Sequence, residues 1–190
     1  MTILKNMMKI RSNAILFLAL LALAAFPVQH TYADSGETEV RGVVSRVFEQ
    51  LKSGQYDSLY EMLPNSSRSK MSRERFTSAL KRTRDFYDLD RLEIGKVHMA
   101  GDLAVVDTVM YGRVHRPAEN EGKIVAQQYL VREDGKWRVA TGDQATVKRF
   151  LAANPTFARQ FKIRQPAVFI KKDGRWIDLT AALRAMRQRA

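Results

Sequence analysis

From Thr38 the apolar positions recur with a helical period. Val40, Val43, Val44, Val47, Phe48 and Leu51 fall on one stripe, the spacing that buries one side of a helix. Gly54 is placed to end it, and the polar residues 34–37 before it read as a frayed start. Asp57 is placed to cap a short second helix carrying Leu59, Tyr60 and Leu63, which Pro64 stops. Residues 65–70 read as a polar linker. Ser72 then opens a helix expected to reach about Tyr87, with Phe76, Ala79, Leu80, Thr83 and Tyr87 on one side. Arg75, Lys81 and Arg82 fall on the opposite, solvated arc.

After Asp90 the period changes to two, the signature of strands. Residues 92–99 and 103–114 are expected to pair about a turn at Ala100-Gly101-Asp102. Residues 124–133 and 136–141 are expected to pair about Asp134-Gly135, a strong hairpin signal. Residues 115–122 read as a loop between these two pairs. A helix over 144–153, capped by Asp143, comes next. Strands over 161–170 and 175–179 then turn at Asp173-Gly174, and Thr180 is placed to cap a last helix with Leu183 and Met186 on one side. Helices first and an antiparallel meander afterwards predict an α+β fold with helices on one sheet face. Within 103–114, one face carries Leu103, Val105, Asp107, Val109 and Tyr111, and the other Ala104, Val106, Thr108 and Met110. Either can be the core side.

The first residues have the three zones of an export signal. Lys5, Lys9 and Arg11 precede an apolar stretch from Ala14 to Phe26, which Pro27 ends, and Thr31-Tyr32-Ala33 offers small residues for cleavage after Ala33. The expected organisation is a signal peptide over 1–33, an α+β domain over 34–143 and a basic extension over 144–190. The expected destination is the periplasm or exterior of a bacterium; the alternative is the same domain held by an uncleaved N-terminal anchor.

The chain has no Cys, which excludes disulfides, thiolate chemistry and lipid modification at Cys. Its net charge is +12, gathered in residues 68–84 and 159–190. Export makes nucleic acid an unexpected partner, and an anionic envelope polymer or lipid headgroups the fitting one. Lys171, Lys172, Arg175, Arg184, Arg187 and Arg189 are the candidate contacts. A basic run is also the ordinary composition of a solvated face.

Several motifs together carry a resemblance. They are residues 47–56 (Val-Phe-Glu-Gln-Leu-Lys-Ser-Gly-Gln-Tyr) with the short helix after them, Ser72-Arg73-Glu74-Arg75-Phe76, Gly101 to Val106, and Glu133 to Val139. Over about 38–143 the chain resembles the nuclear transport factor 2-like superfamily. The resemblance implies a cone of helices on a curved antiparallel sheet; residues 144–190 lie outside it and read, from their own pattern, as a C-terminal helix-hairpin-helix extension. That superfamily holds isomerases, dehydratases, binding proteins and structural subunits, so fold alone assigns no activity.

An isomerase of this kind needs a carboxylate in an apolar cavity opposite a hydroxyl or acid donor. Asp107 and Tyr111 are the nearest material, and a dehydratase-like His-Asp pair has only His98 to begin from. Tyr60, Phe76, Tyr87, Trp137 and Phe150 are the aromatics placed to line a cone, or simply to fill its core. The candidate pocket residues are therefore Tyr60, Phe76, Asp107, Tyr111 and Trp137. No Gly-rich phosphate loop, nucleophile elbow or metal-ligand spacing occurs, so no catalytic residue, metal or cofactor is expected. The expected function is that of a noncatalytic binding or interaction domain of the cell envelope, with an apolar small ligand or an envelope protein as partner. The alternatives are a small-molecule isomerase or dehydratase and a structural subunit that dimerises through its sheet.

Overall fold

The computed structural model describes residues 31–115, 119–141, 144–161 and 163–180, with no account of the side chains at 31–34, 144 and 160. Residues 1–30 of the leader expected over 1–33, the Asp143 cap, the last helix and Arg184, Arg187 and Arg189 lie outside these residues. The chain divides into Met1–Ser35 and Gly36–Ala190. Of the first unit only the start of a helix is described; the sheet and the other helices belong to the second.

The fold is α+β, with a six-stranded antiparallel sheet and helices. Helix α1 spans Thr31–Ser53, so the polar residues before Thr38 are helical where a frayed start was expected. Its stripe buries Val40, Val43, Val44 and Phe48. Gly54, at φ +74°, ends it. The Gln55 amide donates to Gln50 O at 2.8 Å and the Gly54 amide to Leu51 O at 3.3 Å, the bond pair of a left-handed glycine cap. Helix α2 is Tyr56–Glu61, capped in position by Gln55 without a side-chain bond; Asp57 sits inside its first turn. The expected linker contains one helical turn, α3, over Asn65–Arg68. Helix α4, Arg73–Thr83, starts where Ser72 accepts from the Arg75 amide at 3.3 Å. It stops before Tyr87, which is the first residue of a strand.

Strands β1 (Tyr87–Ala100), β2 (Leu103–Val114), β3 (Asn120–Glu133) and β4 (Lys136–Val139) form the meander. The β3–β4 turn has Asp134 at φ 51° and Gly135 at φ 71°, the two positive angles that a tight hairpin requires. Strands β5 (Ala167–Lys172) and β6 (Arg175–Asp178) close on the same device at Asp173-Gly174 and join the same sheet, in the order β1-β2-β3-β5-β6. The far edge of β3 is shared: β4 pairs with Leu130–Glu133 and β5 with Gly122–Val125. Residues 126–129 lie at the handover between the two.

Two register shifts in β1, at Leu89/Arg91 and Ile94/Val97, leave carbonyls turned out of the ladder, as bulges do. Cations on α1 take them. Lys52 Nζ bonds Asp90 O at 2.7 Å, and Arg41 bonds Gly95 O at 2.9 Å and Ile94 O at 3.3 Å.

Helices cover both sheet faces. Val40, Val43 and Val44 of α1 pack on Ala104, Val106, Leu130, Trp137 and Val139. Helices α5 (Gln144–Ala153) and α6 (Pro155–Gln160) pack Val147, Leu151, Phe150 and Phe157 on Leu103, Val105, Tyr129 and Val131 of the opposite face. The second layer is a departure from helices on one face alone. Its physical reason is that Leu103 to Val106 are consecutive and all fully buried, so this end of β2 needs cover on both sides. Phe161 was expected in a strand. It stacks instead on Phe157 at 5.1 Å and meets the His98 ring at 5.4 Å, and β5 begins only at Ala167.

Candidate functional site

A cavity of about 250 Å³ lies between the α1 side of the sheet and the N-terminal helices. Helix α1 contributes Val44, Val47, Phe48 and Leu51; α2 and the residues after it contribute Leu59 and Leu63; α4 contributes Phe76 and Leu80. The sheet floor is Leu92, Met110, Leu130 and Val139, with Gln128 and Thr141 as the polar members.

The helical wall is held by bonds away from the cavity. Arg138 Nη1 donates to Glu61 O at 2.6 Å and the Val139 amide to Met62 O at 2.8 Å, tying the end of α2 to β4. The Tyr60 hydroxyl donates to the carbonyls of Met71 at 2.9 Å and Arg68 at 3.2 Å, while its ring meets Phe76 at 5.7 Å. Arg73 bonds Glu61, and Arg68 reaches it at 3.0 Å. The Arg73 hydrogen bond is the main cause holding the Glu61 carboxyl below its ordinary pKa.

The polar floor is a closed chain of bonds at the β4–β5 handover. The Tyr129 amide donates to Thr141 Oγ1 at 2.9 Å, and Thr141 Oγ1 donates to Gln128 Oε1 at 2.9 Å. Gln128 Nε2 donates to Thr108 Oγ1 at 3.3 Å, whose proton goes to Ala126 O at 3.1 Å. Both ends of the Gln128 amide are therefore bonded, its oxygen to Thr141 and its nitrogen to Thr108.

Among the described residues lining this cavity none has a titratable side chain. Asp107 lies on the opposite face, the one it shares with Leu103 and Val105. There it pairs with Arg164 and accepts from Gln127 Nε2 at 3.5 Å. Gln127 Oε1 accepts from the Tyr129 hydroxyl at 2.9 Å and from the Arg164 amide at 2.8 Å. Burial pushes the Tyr129 hydroxyl above its ordinary pKa. Asp107, Gln127 and Arg164 edge a larger groove of about 420 Å³, but they satisfy one another. Tyr111 is also on that face, where its hydroxyl donates to Glu93 at 3.1 Å and its ring lies under Arg91 at 3.9 Å. The Arg91 hydrogen bond is the main cause keeping the Glu93 carboxyl below its ordinary pKa.

Of the five candidate pocket residues, then, Phe76 lines the cavity and Tyr60 supports it. Trp137 is buried in the α1–sheet core beneath Arg132; Asp107 and Tyr111 face the other way. Phe150 and His98 belong to the second layer. Gln128 and Thr141 were not singled out from sequence, although a glutamine alternating with Ile124, Ala126 and Leu130 on one strand face was a readable signal.

The basic candidates also separate. Lys171 is engaged by Glu121 at 2.8 Å, whereas Lys172 and Arg175 oppose each other, exposed, at the last rung of the β5–β6 hairpin. Thr180, expected as a helix cap, has its hydroxyl on the Val168 amide at 3.0 Å, across from the end of β6. Among the described residues no helix is long and apolar enough to cross a membrane, and no cluster of His, Asp and Glu is placed to hold a metal.

The chain matches no protein-family model and no curated protein.

Proposed function

We propose that the chain is an exported, noncatalytic binding domain of the bacterial cell envelope, built as a nuclear transport factor 2-like cone, which encloses a compact apolar molecule between its helices and its sheet. The observation that carries this reading is the cavity itself. An apolar cavity of about 150 Å³ takes a benzene-sized guest, so 250 Å³ suits a fused two-ring or similarly compact molecule. Among the described residues the lining offers apolar contact from three helices and four strands and no titratable side chain. Binding is the chemistry this lining supports. The exposed Lys172 and Arg175, with the basic residues after them, are the contact proposed for an anionic envelope polymer or headgroup.

The test is fluorescence titration with 1-aminonaphthalene, a neutral two-ring probe whose emission changes on leaving water. The full chain is expected to bind it saturably with one site. Leu80→Trp, which places a larger ring on the α4 wall, is expected to weaken binding at least about tenfold while unfolding stays cooperative. Equal binding by wild type and a folded Leu80→Trp would remove the proposal.

A further inference from the structure

We infer that the cavity selects a neutral guest bearing one hydrogen-bond acceptor, such as a carbonyl or hydroxyl oxygen, which the amide of Gln128 receives. This rests on the reading of the cavity as a ligand site, and it goes further by naming the chemical class of the ligand.

A glutamine amide has two N–H donors and an oxygen with two lone pairs. Thr141 takes up one lone pair and Thr108 one N–H. One N–H and one lone pair remain, on a side chain that lines the cavity. Whichever way round the amide lies between the two threonines, one N–H is taken up and one remains. The amide is thus held by bonds at both ends before any guest arrives, which lowers the ordering cost of binding.

Thr108 is buried, Gln128 half-buried and Thr141 exposed, so the polar end of the cavity runs from the sheet core outward. The strand neighbours on the same face are Ala126 and Leu130, so an apolar residue at 128 would continue the pattern. A guest without an acceptor leaves the amide N–H against hydrocarbon; a guest with one completes it. A charged guest is disfavoured, since no described lining residue carries an opposite charge and an ion would be desolvated without a partner.

The experiment uses a matched pair, 2-acetylnaphthalene and its hydrocarbon isostere 2-isopropenylnaphthalene, with naphthalene-2-carboxylate as the charged analogue. Dissociation constants are measured for the full chain and for Gln128→Leu. The ratio of hydrocarbon to ketone Kd is expected to fall about five- to tenfold in Gln128→Leu, the worth of one hydrogen bond, with hydration differences cancelling in the comparison. The carboxylate is expected not to bind wild type. If both neutral probes bind and the ratio is unchanged, or the carboxylate binds as well as the ketone, this inference falls and the cavity reading stands. If neither neutral probe binds wild type, the cavity reading falls and takes the inference with it. A second readout needs no variant: the carbonyl ¹³C resonance of bound, labelled 2-acetylnaphthalene should lie downfield of its position in cyclohexane. A bound resonance matching the hydrocarbon solvent overturns the inference even if Gln128→Leu does not fold.

Discussion

Gly42 and Gly112 put the same missing side chain into opposite surroundings. At Gly42, within α1, a Cβ would meet nothing within 4 Å, so alanine relieves the entropy cost of a mid-helix glycine. Gly42→Ala is expected to stabilise the fold by about 1 kcal/mol. At Gly112 a Cβ would lie 2.1 Å from the carbonyl oxygen of Asp88 on the paired strand, and backbone cannot yield as a side chain does. Gly112→Ala is expected to cost about 2 kcal/mol. Urea unfolding of the two variants checks both signs at once. At this level the sequence was informative where a residue's own backbone preference decides its role. Gly54, Ser72, Asp134-Gly135 and Asp173-Gly174 all cap or turn the chain as their types require. It was less informative where a partner distant in sequence decides. Asp107 is drawn to Arg164, fifty-seven residues on, and nothing near Asp107 in sequence announces that cation.

The second helical layer shows the same division between local and distant causes. The α1 stripe follows from its own spacing, and the strands from their alternation. The run Leu103-Ala104-Val105-Val106 breaks alternation, and a strand apolar on both sides signals cover on both. Helices α5 and α6 provide that cover and so share a core with the sheet. Leu151→Ala, which empties a buried position between α5 and the sheet, is accordingly expected to cost about 2–4 kcal/mol, read as a lower urea midpoint. A change below about 0.5 kcal/mol would mean that this layer contributes little to the folded state. The cavity wall was legible in part, since Phe76 and Leu80 were placed on the inner side of their helix. Its polar floor was not, because Gln128, Thr108 and Thr141 come together only through the β2–β3 register and the handover from β4 to β5.

For the molecule as a whole, the two faces of the sheet divide the work: one lines the apolar cavity and the other holds polar groups that satisfy one another. Tyr129 links them, bonding Gln127 through its hydroxyl and Thr141 through its amide. Burial raises its pKa in the folded chain. The folded state then holds the phenolic proton more tightly than the unfolded one. This contribution is complete below the ordinary tyrosine pKa of about 10 and is lost as pH rises through the higher folded value. Stability should therefore fall with pH above about 10, and less steeply in Tyr129→Phe. Equal slopes for the two proteins would contradict the assignment. The claim that matters most is that the space under α1, α2 and α4 receives a guest. Met110 lies on its floor, whereas Met71 and Met99 are exposed. With ¹³C-methyl methionine, and Met110→Leu to identify the resonance, titration with 2-acetylnaphthalene should shift the Met110 methyl saturably and leave those of Met71 and Met99 in place. A Met110 signal that stays fixed while Met71 and Met99 move would place the guest on the outside of the protein and contradict the account.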